Sequence, residues 1–179
     1  PAWETEIGDG SRLSSVIVAD SKLFVAEIDA HAVHCLDAEN GKILWSHVAG
    51  GRIDSPPTYH QGNVLFGSAD GTVTSLQASD GTLAWRFHAS PEDLRHMSFE
   101  QLESVWPVSG NVLVRDSSAY FVAGRSNFLD GGLRFYRLNA KTGETIAQTK
   151  INETDPETGD NLQDRHQILN MPVGLTDVL

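Results

Sequence analysis

Basic residues are scarce in this chain of 179: 13 Lys and Arg stand against 24 Asp and Glu, a net charge of −11. The deficit argues against nucleic acid and anionic membrane as partners, because both require basic patches. Cysteine is almost missing as well. A lone Cys35 rules out an internal disulfide and any cysteine-only metal site. No apolar run approaches the roughly 20 residues a membrane-spanning helix needs. No basic segment followed by an apolar core marks a signal peptide. Also missing are a Gly-rich phosphate loop, a nucleophile elbow and a haem-attachment Cys-x-x-Cys-His. The histidines show no ligand spacing. His31 and His34, three apart on an expected strand, point to opposite faces and cannot share a metal. One Asn-x-Thr tripeptide at Asn152 is weak evidence for glycosylation.

What the chain does contain is a repeat. "LDAENGKILW" (Leu36–Trp45) recurs as "LQASDGTLAW" (Leu76–Trp85), with both the glycines (Gly41, Gly81) and the tryptophans (Trp45, Trp85) 40 residues apart. A degenerate third copy, "LNAKTGETIA", carries Gly143 and places Ala147 where the tryptophan stood. Periods of about 40–50 residues mark stacked supersecondary units, four-stranded propeller blades among them. In each copy a Gly-containing turn joins two alternating segments, such as "AVHCL" and "KILWSHV". Two further strand-like runs lie upstream, separated by Gly, Asp and Ser, as hairpins require. The expected architecture is all-β: a β-propeller segment of four-stranded antiparallel blades over residues 11–48, 52–89 and 108–151. Partial strands are expected at 1–7 and 170–179, with an insertion at 88–107. Closure is what removes exposed sheet edges. The remaining blades of a longer parent chain, or another chain, are therefore expected to complete the ring.

The Leu-Asp-Ala-x-x-Gly-x-x-x-Trp pattern resembles the repeat of the pyrroloquinoline-quinone (PQQ)-like β-propeller family. The resemblance covers nearly the whole chain and implies export to the periplasm or cell exterior. It implies one of two functions. The first is a non-catalytic scaffold that binds a protein partner or a polar ligand on its loop-rich face. The second is part of a quinone-dependent oxidoreductase acting on alcohols or sugars. That enzyme would hold PQQ stacked on a tryptophan near the axis, with calcium held by Glu, Asn and Asp and a vicinal cysteine pair on the quinone. Cys35 cannot supply such a pair. Glu103, Asn127 and Asp130 carry oxygens of the kind a hard cation takes.

Propeller geometry puts the longest segments at one end: residues 88–107, the loop 124–132 and the connection 152–167. Long loops in a compact domain are often functional. The candidate ligand-binding residues there are Arg52, Asp54, Glu103, Trp106, Arg125, Asp130 and Arg134. They suit a polar ligand, a cation or a sugar ring stacked on Trp106. The alternative is that Arg52–Asp54 and Arg125–Asp130 are local ion pairs and Trp106, at the start of a strand, packs in the core. Trp45 and Trp85 are expected to pack between blades. Ser90, Pro91, Glu92 and Asp93 read as a helix start. They predict a short helix to about Leu102 that buries Leu94, Met97 and Leu102 and exposes Arg95, His96 and Glu100. Gly131 and Gly132 are expected to take up backbone conformations closed to other residues.

Overall fold

A computed structural model describes residues 2–98, 100–127 and 129–160. Three four-stranded antiparallel sheets follow one another in strict chain order. Blade 1 comprises β1 (Ile17–Ala19), β2 (Lys22–Glu27), β3 (Ala32–Asp37) and β4 (Ile43–Val48); blade 2 comprises β5 (Thr58–His60), β6 (Asn63–Ser68), β7 (Thr72–Gln77) and β8 (Leu83–His88). A hairpin of β9 (Arg95–Ser98) and β10 (Gln101–Ser104) intervenes. Blade 3 then comprises β11 (Leu113–Arg115), β12 (Ser118–Ala123), β13 (Leu133–Asn139) and β14 (Thr145–Ile151). This is an all-β propeller segment. The expected strand at 170–179 lies outside the described residues.

The turns follow from local chemistry. β1–β2 and β11–β12 are joined by Asp20–Ser21 and Asp116–Ser117, with φ of 48° and 58°, and 48° and 59°. Two successive positive φ values match the right-handed twist of the flanking strands. At the β3–β4 turn Asp37 Oδ1 accepts the backbone N–H groups of Glu39 (2.8 Å) and Asn40 (3.3 Å). Asn139 does the same for Lys141 and Thr142 in blade 3.

The repeat signature is an inter-blade lock. Trp45 Nε1 donates to Ala78 O at 3.2 Å, and Trp85 Nε1 to Ala140 O at 3.1 Å. Each indole therefore ends on the alanine carbonyl of the next blade's Ala-x-x-Gly turn. It also lies on that turn's glycine. A Cβ at Gly81 would stand 2.8 Å from the Trp45 ring, and one at Gly143 2.7 Å from the Trp85 ring. These glycines have φ of +75° and +74°, so lack of a side chain serves both the backbone and the ring above it. Residues 2–7 form no strand, yet Trp3 repeats the contact, with its Nε1 3.2 Å from Ala38 O and its ring against Gly41.

Two apolar clusters fill the spaces between blades. Phe24, Val33, Cys35 and Trp45 meet Phe66 and Leu76 between blades 1 and 2. Leu65, Val73 and Trp85 meet Phe121, Tyr136 and Leu138 between blades 2 and 3. Blade 2 is covered on both faces, so every residue of β6 after Asn63 is buried, as are Thr72, Thr74 and Ser75 of β7. Thr and Ser fit there because the strand needs small β-compatible side chains on both faces.

The helix expected between Ser90 and Leu102 is instead the β9–β10 hairpin, with Leu102 opposite Met97 and Glu103 opposite His96. Leu94, Met97 and Leu102 are exposed and His96 is half-buried, contrary to expectation, while Arg95 and Glu100 are exposed as expected. Alternation explains the outcome. Gln101 and Glu103 both reach partners on the blades below, which two-residue periodicity allows and helical periodicity does not. The Ser90–Pro91 start signal forms only a bend. His31 also departs from expectation: it sits in the β2–β3 turn at φ +60°, not on a strand.

Candidate functional site

The insertion and the 124–132 loop emerge at the same end of the blades, where Trp106 Nε1 donates to Asp130 O at 2.9 Å. The hairpin is seated on that end. His31 and Gln101 side chains meet at 2.8 Å, Ser104 N donates to Ala69 O at 2.8 Å, and the Ser90 and Ser104 hydroxyls meet at 2.9 Å.

Arg52, Asp54 and Glu103 come together beneath the hairpin. Arg52 precedes blade 2 in the connection from β4 to β5 and is 8% exposed; Glu103 on β10 is 4% exposed. Arg52 Nε donates to Asp54 Oδ1 at 2.5 Å, Nη2 donates to Asp54 Oδ2 at 3.1 Å, and Nη1 donates to Glu103 Oε1. The Asp54 hydrogen bonds, set against burial, hold the guanidinium above its usual range. Two carboxylates on one planar fork satisfy charges that would otherwise be costly inside.

Arg125, Asp130 and Trp106 form the second group. Arg125 Nη2 lies 2.5 Å from Asp130 Oδ2 across the loop. Trp106 precedes β11 in irregular chain instead of starting a strand. It is 5% exposed within the blade 2–3 core. Gly131 and Gly132 have φ of +77° and +96°. Arg134 lies apart on β13, half-buried at a cleft with Tyr136, Gln148, Thr149 and Lys150. The seven candidates thus fall into two internally paired groups and one residue on the side of a blade.

Sequence reasoning missed His31, Gln101 and Ser104 as the residues that seat the hairpin. The alternation of Gln101, Leu102 and Glu103 was the available signal. It also missed Ser46, His34 and Glu27, brought together only by register across three strands.

The oxygen donors do not fit calcium as arranged. Arg52 occupies Glu103, Arg125 occupies Asp130, and Asn127 Nδ2 donates to Glu153. Among the described residues no group of three His, Cys, Asp or Glu side chains is placed to hold a metal ion. Trp106 is enclosed, so its ring offers no open face to a quinone. Cys35, fully buried on β3, has its thiol pushed up to about 11 by burial. The described residues therefore do not form a quinone–calcium seat.

Radially ordered four-stranded sheets, locked by tryptophan on the Ala-x-x-Gly turn of the next sheet, define a PQQ-like β-propeller. A family model described as outer membrane protein assembly factor BamB matches residues 1–173, and the chain belongs to that family. The outer membrane protein assembly factor BamB of Burkholderia pseudomallei is 30% identical over 151 residues, 83% of this chain and 34% of that protein. Quinohemoprotein alcohol dehydrogenase ADH IIB of Pseudomonas putida is 28% identical over 120 residues, 55% of this chain and 17% of that protein. Among solved structures, quinohemoprotein alcohol dehydrogenase ADHIIG of Pseudomonas putida matches with a TM-score of 0.69 at 18% identity, covering 87% of this chain and 23% of the other. BamB of Moraxella catarrhalis matches with a TM-score of 0.54 at 17% identity, covering 83% and 54%. At these identities the structural likeness is one of fold. The chain spans about a third or less of the length of these two curated relatives.

Proposed function

We propose that the chain is part of a non-catalytic PQQ-like propeller scaffold, within an exported protein, that binds a protein partner at its loop-bearing end. One observation carries this. Arg52 is paired with Asp54 and Glu103, and Arg125 with Asp130, whereas the hairpin holds Met97 and Leu102 opposite each other and turned outward, 68% and 51% exposed. Leu94 beside them is 50% exposed. Paired charges offer little to a small polar ligand, while an apolar patch on a rigid, polar-anchored hairpin suits a protein surface. The likeness to outer membrane protein assembly factors supports a role in assembly at the outer membrane.

The test uses the full-length protein in a strain lacking it. Wild type should restore the level of folded outer-membrane proteins, and Met97→Ser/Leu102→Ser should not, although its unfolding midpoint is unchanged. Full restoration by the double variant would overturn the assignment to the hairpin. The oxidoreductase alternative rests on the likeness to quinohemoprotein dehydrogenases. A bound chromophore and dye-linked alcohol oxidation after adding PQQ and Ca²⁺ would favour it. Neither is expected from the donor sets described above.

A further inference from the structure

On the face of blade 1 that turns away from blade 2, three side chains from three adjacent strands form a hydrogen-bonded line. Ser46 on β4 lies directly across from His34 on β3, and its Oγ is 2.8 Å from His34 Nδ1. His34 Nε2 is 3.0 Å from Glu27 Oε2 on β2. A carboxylate only accepts, so Nε2 carries the ring proton and Nδ1 presents its lone pair to the serine hydroxyl. Glu27 is 8% exposed, and hydrogen bonds from Ser11 first and His34 second hold its carboxyl below the usual range. It is therefore ionised at neutral pH and fixes the ring. His34 is half-buried, and Ser46 at the end of the line is exposed.

From this geometry we infer that Ser46 is an activated nucleophile, with His34 as its base and Glu27 orienting the base, that accepts acyl groups from activated esters. In the step, Ser46 Oγ attacks the acyl carbon and its proton passes to His34 Nδ1. The Oγ–C bond forms, the ester C–O bond breaks, and the departing oxygen leaves as an alcohol with that proton. The products are O-acyl-Ser46 and neutral His34. A nucleophile and base within hydrogen-bond reach, with the base oriented by a third group, are the elements that make serine reactive.

Two comparisons within the chain favour a site over a requirement of the fold. By strand register the same positions are Ser68, Thr74 and Arg86 in blade 2, and Ala123, Tyr136 and Gln148 in blade 3. The repeat does not demand the line. Arg86 is also exposed although blade 1 packs over that face of blade 2. The Ser46 position thus stays open beside a preceding blade.

The experiment exposes the full-length protein at pH 7 to a fluorophosphonate, which phosphonylates activated serine with loss of fluoride, and maps the adduct by peptide mass spectrometry. The expected result is one adduct at Ser46, absent from Ser46→Ala and formed about 100-fold more slowly in His34→Ala, the lower end of what a positioned base supplies. No adduct at Ser46, or an unchanged rate in a folded His34→Ala protein, overturns the inference. If His34→Ala fails to fold, Ser46→Cys decides. Its new thiol should be alkylated by iodoacetamide at pH 7 about tenfold faster than a free cysteine thiol, because the adjacent imidazole promotes the thiolate. Buried Cys35 stays silent in that assay. An unaccelerated rate in the Ser46→Cys protein overturns the inference.

Discussion

Replacing Trp85 by alanine removes the lock between blades 2 and 3 and should be among the most damaging single changes in the chain. The indole is 8% exposed. A side chain of this type buries about 200 Å², which at about 25 cal/mol per Å² sets an upper figure near 5 kcal/mol. Measured truncations of large aromatic residues in cores run about 3–5 kcal/mol, cavity included, so a loss in that range is expected. Two further variants separate the components. Trp85→Phe keeps most of the apolar contact but leaves Ala140 O without the 3.1 Å donor; it should lose about 1–3 kcal/mol. Gly143→Ala keeps the indole but puts a Cβ 2.7 Å from it at φ +74°. The left-handed backbone alone is worth about 1–2 kcal/mol, and the overlap adds to it. Arg86→Ala, at an exposed neighbour on the same strand, should stay within about 0.5 kcal/mol. The assay is urea unfolding of the full-length protein followed by far-ultraviolet circular dichroism, with slopes compared to confirm one transition. A Trp85→Ala loss below about 1 kcal/mol, or one no larger than that of Arg86→Ala, would refute the lock as the element that holds the blades in register.

Three other outcomes follow from the same structure. Arg52→Ala strands Glu103, 4% exposed, without its cation and should destabilise by about 3–5 kcal/mol, as breaking a buried pair does; proteolysis should then begin within the hairpin, and protection equal to wild type would contradict this. Cys35, with its thiol near 11 and no exposure, should resist iodoacetamide at pH 8 until urea unfolds the protein, so that alkylation tracks unfolding. Glu27 has a depressed folded-state pKa, so its contribution is present above the unfolded carboxyl range, about pH 4.3, and is lost as pH falls through the folded value; urea midpoints between pH 6 and pH 3 should therefore fall more steeply for wild type than for Glu27→Gln.

Much of the architecture was legible because its determinants are short and periodic. Gly41, Gly81 and Gly143 announce the turns, and the 40-residue spacing of Trp45 and Trp85 announces the stacking. Trp3 makes the same contact with Ala38 O, although no strand surrounds it. The hairpin was not legible, because Ser90–Pro91–Glu92–Asp93 carries the local signature of a helix start. What decides that segment lies elsewhere in the chain: His31, Arg52 and Ala69, which bind Gln101, Glu103 and Ser104. Tertiary partners overrode local propensity. The candidate site was half legible. Arg52, Asp54 and Glu103 meet and Arg125 meets Asp130, whereas Arg134 lies apart on blade 3; sequence alone left open whether Arg52 and Arg125 face a ligand or a neighbour.

That pairing bears on function through electrostatics. A chain carrying −11 that buries Arg52 between Asp54 and Glu103, and closes Arg125 on Asp130, has committed these cations to holding loops in place. The hairpin gains a fixed inner face from this and is left with an apolar outer one. Polar anchoring beneath an exposed Met97–Leu102 pair would lower the ordering penalty for the proposed partner, since the hairpin's inner face is already fixed. A small ligand seeking Arg52 would first have to displace two carboxylates in a buried site. A protein docking on Met97 and Leu102 displaces only water from apolar surface, which is the favourable direction. The blades are held independently of that end: the locks run through Trp45 and Trp85 to the turns at the opposite end, away from the hairpin.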